Sequence, residues 1–175
     1  KAYHGITIAS GSLTGLPLMH NDFDLPISQV LHTLCPHYWR EGLEGESEEE
    51  FSTRCANELE KLILKEDPDT IAAFIGEPVM GAGGLFVPPK GYWKKIQSVC
   101  NKYDILIIAD EVINGFGRTG TWFACNQLSE LPDIMCLSKA LTGGFLPLGL
   151  TLVSQEIYNG FYSDIPTHTF LHGHS

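Results

Sequence analysis

Hydrophobic residues recur at helical spacing in the first half of this chain, directly behind a stretch of acidic residues. Ser47-Glu48-Glu49-Glu50 has the composition of a capping box, in which a serine and a glutamate bind each other's backbone N–H groups. The apolar positions that follow are Phe51, Cys55, Leu59, Leu62 and Ile63. This pattern predicts a helix over residues 48–65. The turn signals and scattered aromatic residues of residues 1–40 predict few regular elements there.

Further along the chain, short apolar runs alternate with amphipathic segments. The apolar runs predict strands over residues 70–76, 103–109, 134–137 and 148–153. The amphipathic segments predict helices over residues 91–103 and 155–161, with a partly helical stretch over residues 120–130. Because most of the runs are apolar throughout and are separated by helices, they predict an α/β fold with a mostly parallel sheet sandwiched by helices.

Three ionisable residues, Glu77, Asp110 and Lys139, stand just beyond the ends of three predicted strands. A charge at the end of a buried strand is costly unless it is paired or used in chemistry. In open α/β sheets, ligands bind beyond the carboxyl ends of the strands. The three residues therefore predict a site at one edge of the sheet.

A carboxylate and an amine at such an edge suit pyridoxal 5'-phosphate (PLP). Enzymes that use PLP form a Schiff base with a lysine and place an aspartate beside the pyridinium nitrogen. From the residues alone, structural alternatives stay open. Lys139 also fits a surface residue that opens a helix, and Asp110 fits a cap or half of a metal-binding pair. Glu77 also fits a turn carboxylate, and Tyr3 fits a core residue.

Two motifs of nucleotide-binding proteins are matched only in part. Gly115 to Gly120 has the form G-x-G-x-x-G, but it does not follow a predicted strand directly, so we interpret it as a glycine-rich loop. Asp110-Glu111 resembles a Walker B element, yet the chain contains no G-x-x-x-x-G-K-[ST] sequence. The sequence therefore favours neither a nicotinamide site nor a P-loop ATPase.

Composition limits the partners. The 175 residues amount to one modest domain, and 21 acidic against 11 basic residues give a net charge of −10. This balance argues against nucleic acid and against an anionic membrane surface. No apolar run is long enough to span a bilayer, and no signal peptide opens the chain. The five cysteines show no C-x-x-C spacing and the histidines no metal-ligand grouping, so we expect reduced thiols, no metal and a cytoplasmic protein.

An ordered set of motifs extends through most of the chain. It includes Tyr3-His4-Gly5, Glu77-Pro78-Val79, Asp110-Glu111-Val112, Gly115 to Gly120 and Ser138-Lys139-Ala140-Leu141. In this order the motifs resemble the class III (omega) aminotransferases of PLP fold type I. The resemblance implies that residues 1–175 are part of the PLP-binding large domain. The family's upstream phosphate loop and its C-terminal small domain are not among these residues, so we expect the piece alone to be inactive.

The resemblance implies a role for each matching residue. Lys139 would form the Schiff base with PLP and shuttle the proton, and Asp110 would pair with the pyridine nitrogen. Val112 and Tyr3 would pack on opposite faces of the ring, and Glu77 would lie near its hydroxyl group. Ser175 resembles the residue that reaches the cofactor phosphate of a neighbouring subunit, and the full-length protein would be a homodimer.

The implied function is a transaminase that moves an amino group from an omega-amino acid or amine to an oxo acid such as pyruvate. Up to about Gly120 the chain resembles omega-amino acid:pyruvate transaminases, whereas its later motifs resemble the 7,8-diaminopelargonate aminotransferase of biotin synthesis. A PLP-dependent decarboxylase, lyase or aminomutase on the same fold, or an inactive fragment, remain alternatives.

Overall fold

A computed structural model of the protein describes residues 1–128 and 131–169. Within these residues the strands form one sheet in the order β1 (Ala73–Gly76), β2 (Leu106–Asp110), β3 (Ile134–Leu137) and β4 (Leu150–Val153). The first three strands are parallel, and β4 runs antiparallel to β3. The predicted α/β class with a mostly parallel sheet is confirmed.

Two helices build the core against the sheet. The α-helices of the described residues are α1 (Ile8–Leu13), α2 (Tyr38–Glu41), α3 (Glu48–Glu66), α4 (Tyr92–Lys102) and α5 (Gln155–Phe161). Helices α3 and α4 pack on each other, and their buried side chains form one cluster with residues at the start of β2. That cluster includes Phe51, Cys55, Ile63, Ile96, Cys100, Ile105 and Ile107. Each fully buried large aliphatic or aromatic side chain contributes roughly 1.5–3 kcal/mol, so this cluster dominates the stability of the fold.

The capping box begins α3 as its sequence predicts. The Ser47 hydroxyl accepts from the Glu50 N–H at 3.3 Å, and the Glu50 carboxylate accepts from the Ser47 N–H at 2.8 Å. The helix runs one residue beyond the predicted end, to Glu66, and Asp67 then adopts a positive φ of 74°. The Asp67 carboxylate accepts from the Asp69 N–H at 3.2 Å, which starts a short 3-10 turn.

Several strand boundaries differ from the predictions. Strand β1 begins at Ala73 because the 3-10 turn of Pro68–Thr70 occupies the predicted start. Strand β2 begins at Leu106, since Asp104 has a φ of 55° and turns the chain between α4 and the sheet. Strand β3 and helix α5 occupy the predicted residues. In residues 1–40, helix α1, the 3-10 helix Pro17–Met19 and the beginning of α2 are all short, and the turn signals predict few regular elements there. Among the described residues, no helix has both the length and the apolar character needed to cross a membrane.

Candidate active site

The site lies at the carboxyl ends of the parallel strands. Glu77 directly follows β1, Asp110 is the last residue of β2, and Lys139 comes two residues after β3. The strands pair side by side up to this point: Gly76 of β1 pairs with Ala109 of β2, and Asp110 of β2 pairs with Cys136 of β3. The carboxyl ends of neighbouring parallel strands meet at one edge of the sheet, so Glu77, Asp110 and Lys139 all lie at that edge.

Asp110 is held on both carboxylate oxygens. Its Oδ2 lies 2.7 Å from Nδ1 of His4, and its Oδ1 accepts from the Val112 N–H at 3.0 Å. The side chains of His4 and Asp110 are only 3% and 8% exposed. A carboxylate oxygen accepts, so the proton of this bond sits on His4 Nδ1. His4 was not among the residues predicted for the site, because 106 residues of chain separate it from Asp110.

The negative charge of Asp110 acts on its surroundings. Burial raises the pKa of the Cys136 thiol, and the charge of Asp110 raises it further. The Cys136 thiol therefore stays protonated and adds no second negative charge beside Asp110. The negative charge of Asp110 also favours a cation beside it. Each carboxylate oxygen can accept more than one hydrogen bond, so Asp110 keeps lone pairs for such a ligand.

Lys139 has an unusual backbone conformation. Its φ is 47°, in the left-handed region that a residue with a Cβ rarely adopts, and such a conformation costs of order 1–3 kcal/mol. The preceding Ser138 donates its hydroxyl to the Leu148 carbonyl at 2.7 Å, which ties the turn to the chain that enters β4. The Lys139 side chain is exposed, and its ammonium has no hydrogen-bond or ion-pair partner in the described part of the chain. A ligand that binds Lys139 therefore does not have to displace a partner within the described residues.

Glu77 is oriented towards the backbone. It is 2% exposed, its Oε1 accepts from the Tyr3 N–H at 2.9 Å, and its Oε2 accepts from the Gly81 N–H at 2.8 Å. Tyr3 is half-buried and lies beside the edge where Asp110 ends β2, because the next residue along is His4. The structure thus brings Tyr3, Glu77, Asp110 and Val112 together around the strand ends. Ser175 lies outside the described residues.

A second buried carboxylate, Glu111, holds the start of the 3-10 helix Ala124–Gln127, which follows the glycine-rich loop. Glu111 is fully buried and accepts from the N–H groups of Ala124 and Cys125 at 3.0 and 2.6 Å. Burial raises the pKa of the Cys125 thiol to about 12, and the Glu111 charge contributes. In the loop, Phe116 has a φ of 61° and Gly120 is not followed directly by an α-helix, so the G-x-G-x-x-G sequence does not form a dinucleotide-binding turn. Sequence analysis did not single out Glu111, because an acidic residue after Asp110 carries no signal of burial.

The fold and the site define the class of protein. Asp110 presents a buried, hydrogen-bonded carboxylate, and Lys139 presents an amine beyond the neighbouring strand that has no ion-pair partner among the described residues. These are the two groups that a PLP site requires, so the residues present fit the cofactor. The chain has the fold of the PLP-dependent transferases of fold type I.

Comparison with known proteins gives the family. The family model for class-III aminotransferases matches residues 1–173. The chain is 58% identical over 174 residues to gamma aminobutyrate transaminase 3, chloroplastic, of Solanum lycopersicum, covering 99% of this chain and 34% of that protein. It is 60% identical over 163 residues to probable gamma-aminobutyrate transaminase 2, mitochondrial, of Oryza sativa subsp. indica, covering 93% of this chain and 33% of that one.

Solved structures agree with these relatives. The crystal structure of a thermostable omega transaminase 4-fold mutant from Pseudomonas jessenii matches with a TM-score of 0.93 and 53% identity, covering 99% of this chain and 39% of that one. The omega transaminase from the same organism in complex with PMP matches with a TM-score of 0.89 and 57% identity, covering 90% and 35%. The chain belongs to the class III aminotransferases, a PLP-dependent family. It spans about a third of the length of the curated relatives it matches.

The prediction of a cytoplasmic location was wrong. It came from the reduced thiols and the lack of a recognisable leader, and the matched plant relatives are named as chloroplastic or mitochondrial. Free cysteines are also typical of proteins in compartments other than the cytosol, so thiol chemistry did not discriminate between them.

Among the residues that the structure describes, no group of histidine, cysteine and acidic side chains could hold a metal ion.

Proposed function

We propose that this chain forms the cofactor-binding part of an omega transaminase that takes the amino group of an omega-amino acid or amine and gives it to an oxo acid such as pyruvate. The supporting observation is the buried His4–Asp110 pair at the end of β2, beside the strand that leads to an unpaired Lys139. Two relatives are named as gamma-aminobutyrate transaminases, so gamma-aminobutyrate is the first donor to test.

In this proposal each residue has a distinct task. Asp110 accepts a hydrogen bond from the protonated pyridine nitrogen, while His4 and the Val112 N–H keep the carboxylate fixed. Tyr3 and Val112 pack against opposite faces of the ring. Bound PLP supplies an electron sink that stabilises negative charge on the carbon that carries the amino group.

Lys139 moves the proton. As an unprotonated amine, its Nζ accepts the proton from the amine-bearing carbon of the donor, acting as a general base. The resulting ammonium would then give the proton to the C4′ carbon of the cofactor as a general acid, while the amino group passes from the donor to the cofactor. Among the described residues Lys139 forms no ion pair, so its side chain does not first have to break a salt bridge.

For the complete protein, the proposal relies on the resemblance to class III aminotransferases. Residues 1–175 are proposed as part of the large domain, and the complete protein as a homodimer in which Ser175 reaches the cofactor phosphate of the neighbouring subunit. The expectation that residues 1–175 alone lack activity belongs to the same proposal.

The test is transamination by the complete protein. With gamma-aminobutyrate and pyruvate, the wild type should form alanine, and borohydride reduction followed by peptide mapping should leave the cofactor on Lys139. The Lys139→Ala variant should lose the label and nearly all alanine formation, whereas Lys94→Ala, an exposed lysine on α4, should behave as wild type. Retention of both label and activity in Lys139→Ala would refute the proposal. Carbon dioxide release without alanine would instead favour a decarboxylase.

A further inference from the structure

The segment that carries Tyr3 and His4 lies outside every helix and strand. Its backbone is therefore not held by a regular ladder of hydrogen bonds. An aromatic ring and an imidazole that take part in a site must be held within a fraction of an ångström. The contacts that hold this segment consequently decide whether His4 reaches Asp110.

Two consecutive backbone N–H groups of this segment end on buried side chains. The Tyr3 N–H donates to Oε1 of Glu77 at 2.9 Å, and the His4 N–H donates to Oγ1 of Thr14 at 2.9 Å. Thr14 is fully buried, and its hydroxyl lies 3.0 Å from the carbonyls of both Gly5 and Ser10. The two side chains thus fix the two peptide groups on either side of Tyr3 and orient the imidazole that follows.

The loop after β1 is shaped around the same segment. The second oxygen of Glu77 binds the Gly81 N–H, and a Cβ at Gly81 would approach Ile113 Cδ1 to 2.5 Å. A Cβ at Gly83 would lie 2.1 Å from the Lys1 carbonyl oxygen. Only glycine permits these approaches, so the loop can close over Glu77 and pass directly against the chain that leads to Tyr3.

We propose that Glu77 and Thr14 are positioning residues that seat Tyr3 and His4 at the edge of the sheet, and that Glu77 acts through the Tyr3 backbone rather than by touching the cofactor. The proposal rests on the proposed function for its effect on catalysis. It replaces the role near the ring hydroxyl that the family resemblance implies for Glu77. The basis is the pair of backbone contacts, since the two oxygens of the Glu77 carboxylate, which is 2% exposed, accept from the Tyr3 and Gly81 N–H groups. The holoenzyme experiment below decides between this role and contact with the ring.

The first experiment measures amide hydrogen exchange in the complete protein without cofactor. In Glu77→Gln, the side-chain amide must turn its NH2 group towards one of the two backbone donors. We expect the amide that faces this NH2 group, that of Tyr3 or that of Gly81, to exchange about ten- to a hundredfold faster, the effect of losing a hydrogen bond to a charged group. Thr14→Val should do the same for the His4 amide, and Thr14→Ser should restore protection because it keeps the hydroxyl.

Controls separate this effect from general loosening. Thr53→Val removes an exposed hydroxyl on α3 that donates to the Glu49 carbonyl, and it should leave Tyr3 and His4 exchange unchanged. Amides of α3 report global stability in every variant. If Glu77→Gln unfolds the protein, the Thr14→Val and Thr14→Ser pair carries the test. Unchanged Tyr3, Gly81 and His4 exchange in folded Glu77→Gln and Thr14→Val proteins would overturn the proposal.

The second experiment distinguishes positioning from direct contact with the cofactor. In the holoenzyme, Glu77→Gln should lower kcat about tenfold or more and leave the absorbance maximum of bound PLP in place. A shifted absorbance maximum together with normal Tyr3 and Gly81 exchange would assign Glu77 to the ring and overturn the positioning role. If the wild type binds no PLP, the proposed function fails, while the exchange experiment still decides how the segment is held.

Discussion

Nδ1 of His4 lies 2.7 Å from Oδ2 of Asp110 in a part of the protein that solvent hardly reaches. The pair joins a segment without regular structure to the end of β2. A buried carboxylate held in this way has one face committed to the protein and the remaining lone pairs available to a ligand.

Removing the imidazole should weaken the site. His4→Leu leaves Oδ2 of Asp110 without its donor, which costs about 1.5–3 kcal/mol for a hydrogen bond to a charged group, or roughly a ten- to hundredfold loss in kcat/KM. His4→Asn places an amide N–H near the position of Nδ1 and should recover part of the loss. Steady-state kinetics and PLP affinity of the complete protein measure both effects. Equal activity of His4→Leu and wild type would show that Asp110 does not depend on this donor.

Neutralising Asp110 should be more damaging than removing its partner. Asp110→Asn keeps the size of the side chain but removes the negative charge, so a protonated pyridine nitrogen loses its counter-ion. We expect kcat/KM to fall by about a hundredfold or more, since charge-assisted hydrogen bonds are roughly twice as strong as neutral ones. Asp69→Asn changes an exposed aspartate and serves as the matched control. A normal rate in Asp110→Asn would remove Asp110 from the chemistry.

Glu111 should matter for stability. Its carboxylate accepts from two backbone N–H groups at the start of the 3-10 helix Ala124–Gln127. Glu111→Gln forces an NH2 group against one of them, leaving a buried donor unsatisfied at a cost of about 1–3 kcal/mol. Urea unfolding of the complete protein measures the loss, and Glu48→Gln, at an exposed position in the first turn of α3, is the control. An unchanged urea midpoint in Glu111→Gln would mean that the 3-10 helix does not need the Glu111 carboxylate.

The buried thiols predict a loss of stability in alkali. Burial raises the pKa of Cys55, Cys100 and Cys125 to about 12 from an ordinary value of 9.0. Between these values the unfolded chain releases thiol protons that the folded protein keeps. Stability is therefore fully present below about pH 9 and falls as the pH rises towards 12. Thermal unfolding across this range should show the decline.

Thiolate absorbance provides an independent measurement of the same effect. In the folded protein, the absorbance of these three thiols should appear near pH 12, whereas in denaturant it should appear near pH 9. Alanine substitution of Cys125, the thiol beside Glu111, should remove one third of that delayed absorbance. Ionisation of all three thiols near pH 9 in the folded protein would contradict the burial argument.

Local patterns in the sequence predicted most elements of the fold. The capping box at Ser47 and the apolar spacing behind it specify α3 without help from distant residues, and β3 and α5 coincide with their predicted ranges. The largest boundary differences arose at Pro68–Thr70 and Asp104, where side-chain hydrogen bonding or a positive φ ends one element before the next begins. Such turns depend on backbone conformation, which hydrophobic periodicity does not encode.

For the site, the apolar runs alone predict that Glu77, Asp110 and Lys139 lie at or just beyond strand ends, because a strand end is visible as the end of an apolar run. Glu77 and Lys139 do follow β1 and β3, whereas Asp110 is the last residue of β2. What these residues touch follows from the folded chain and not from the pattern of apolar runs. In the structure His4 binds Asp110, both oxygens of Glu77 accept from backbone N–H groups, and Glu111 is buried against the start of the 3-10 helix Ala124–Gln127. The His4–Asp110 and Tyr3–Glu77 contacts join residues that are 106 and 74 positions apart, so their geometry exists only once folding has brought the first residues of the chain to the ends of the strands.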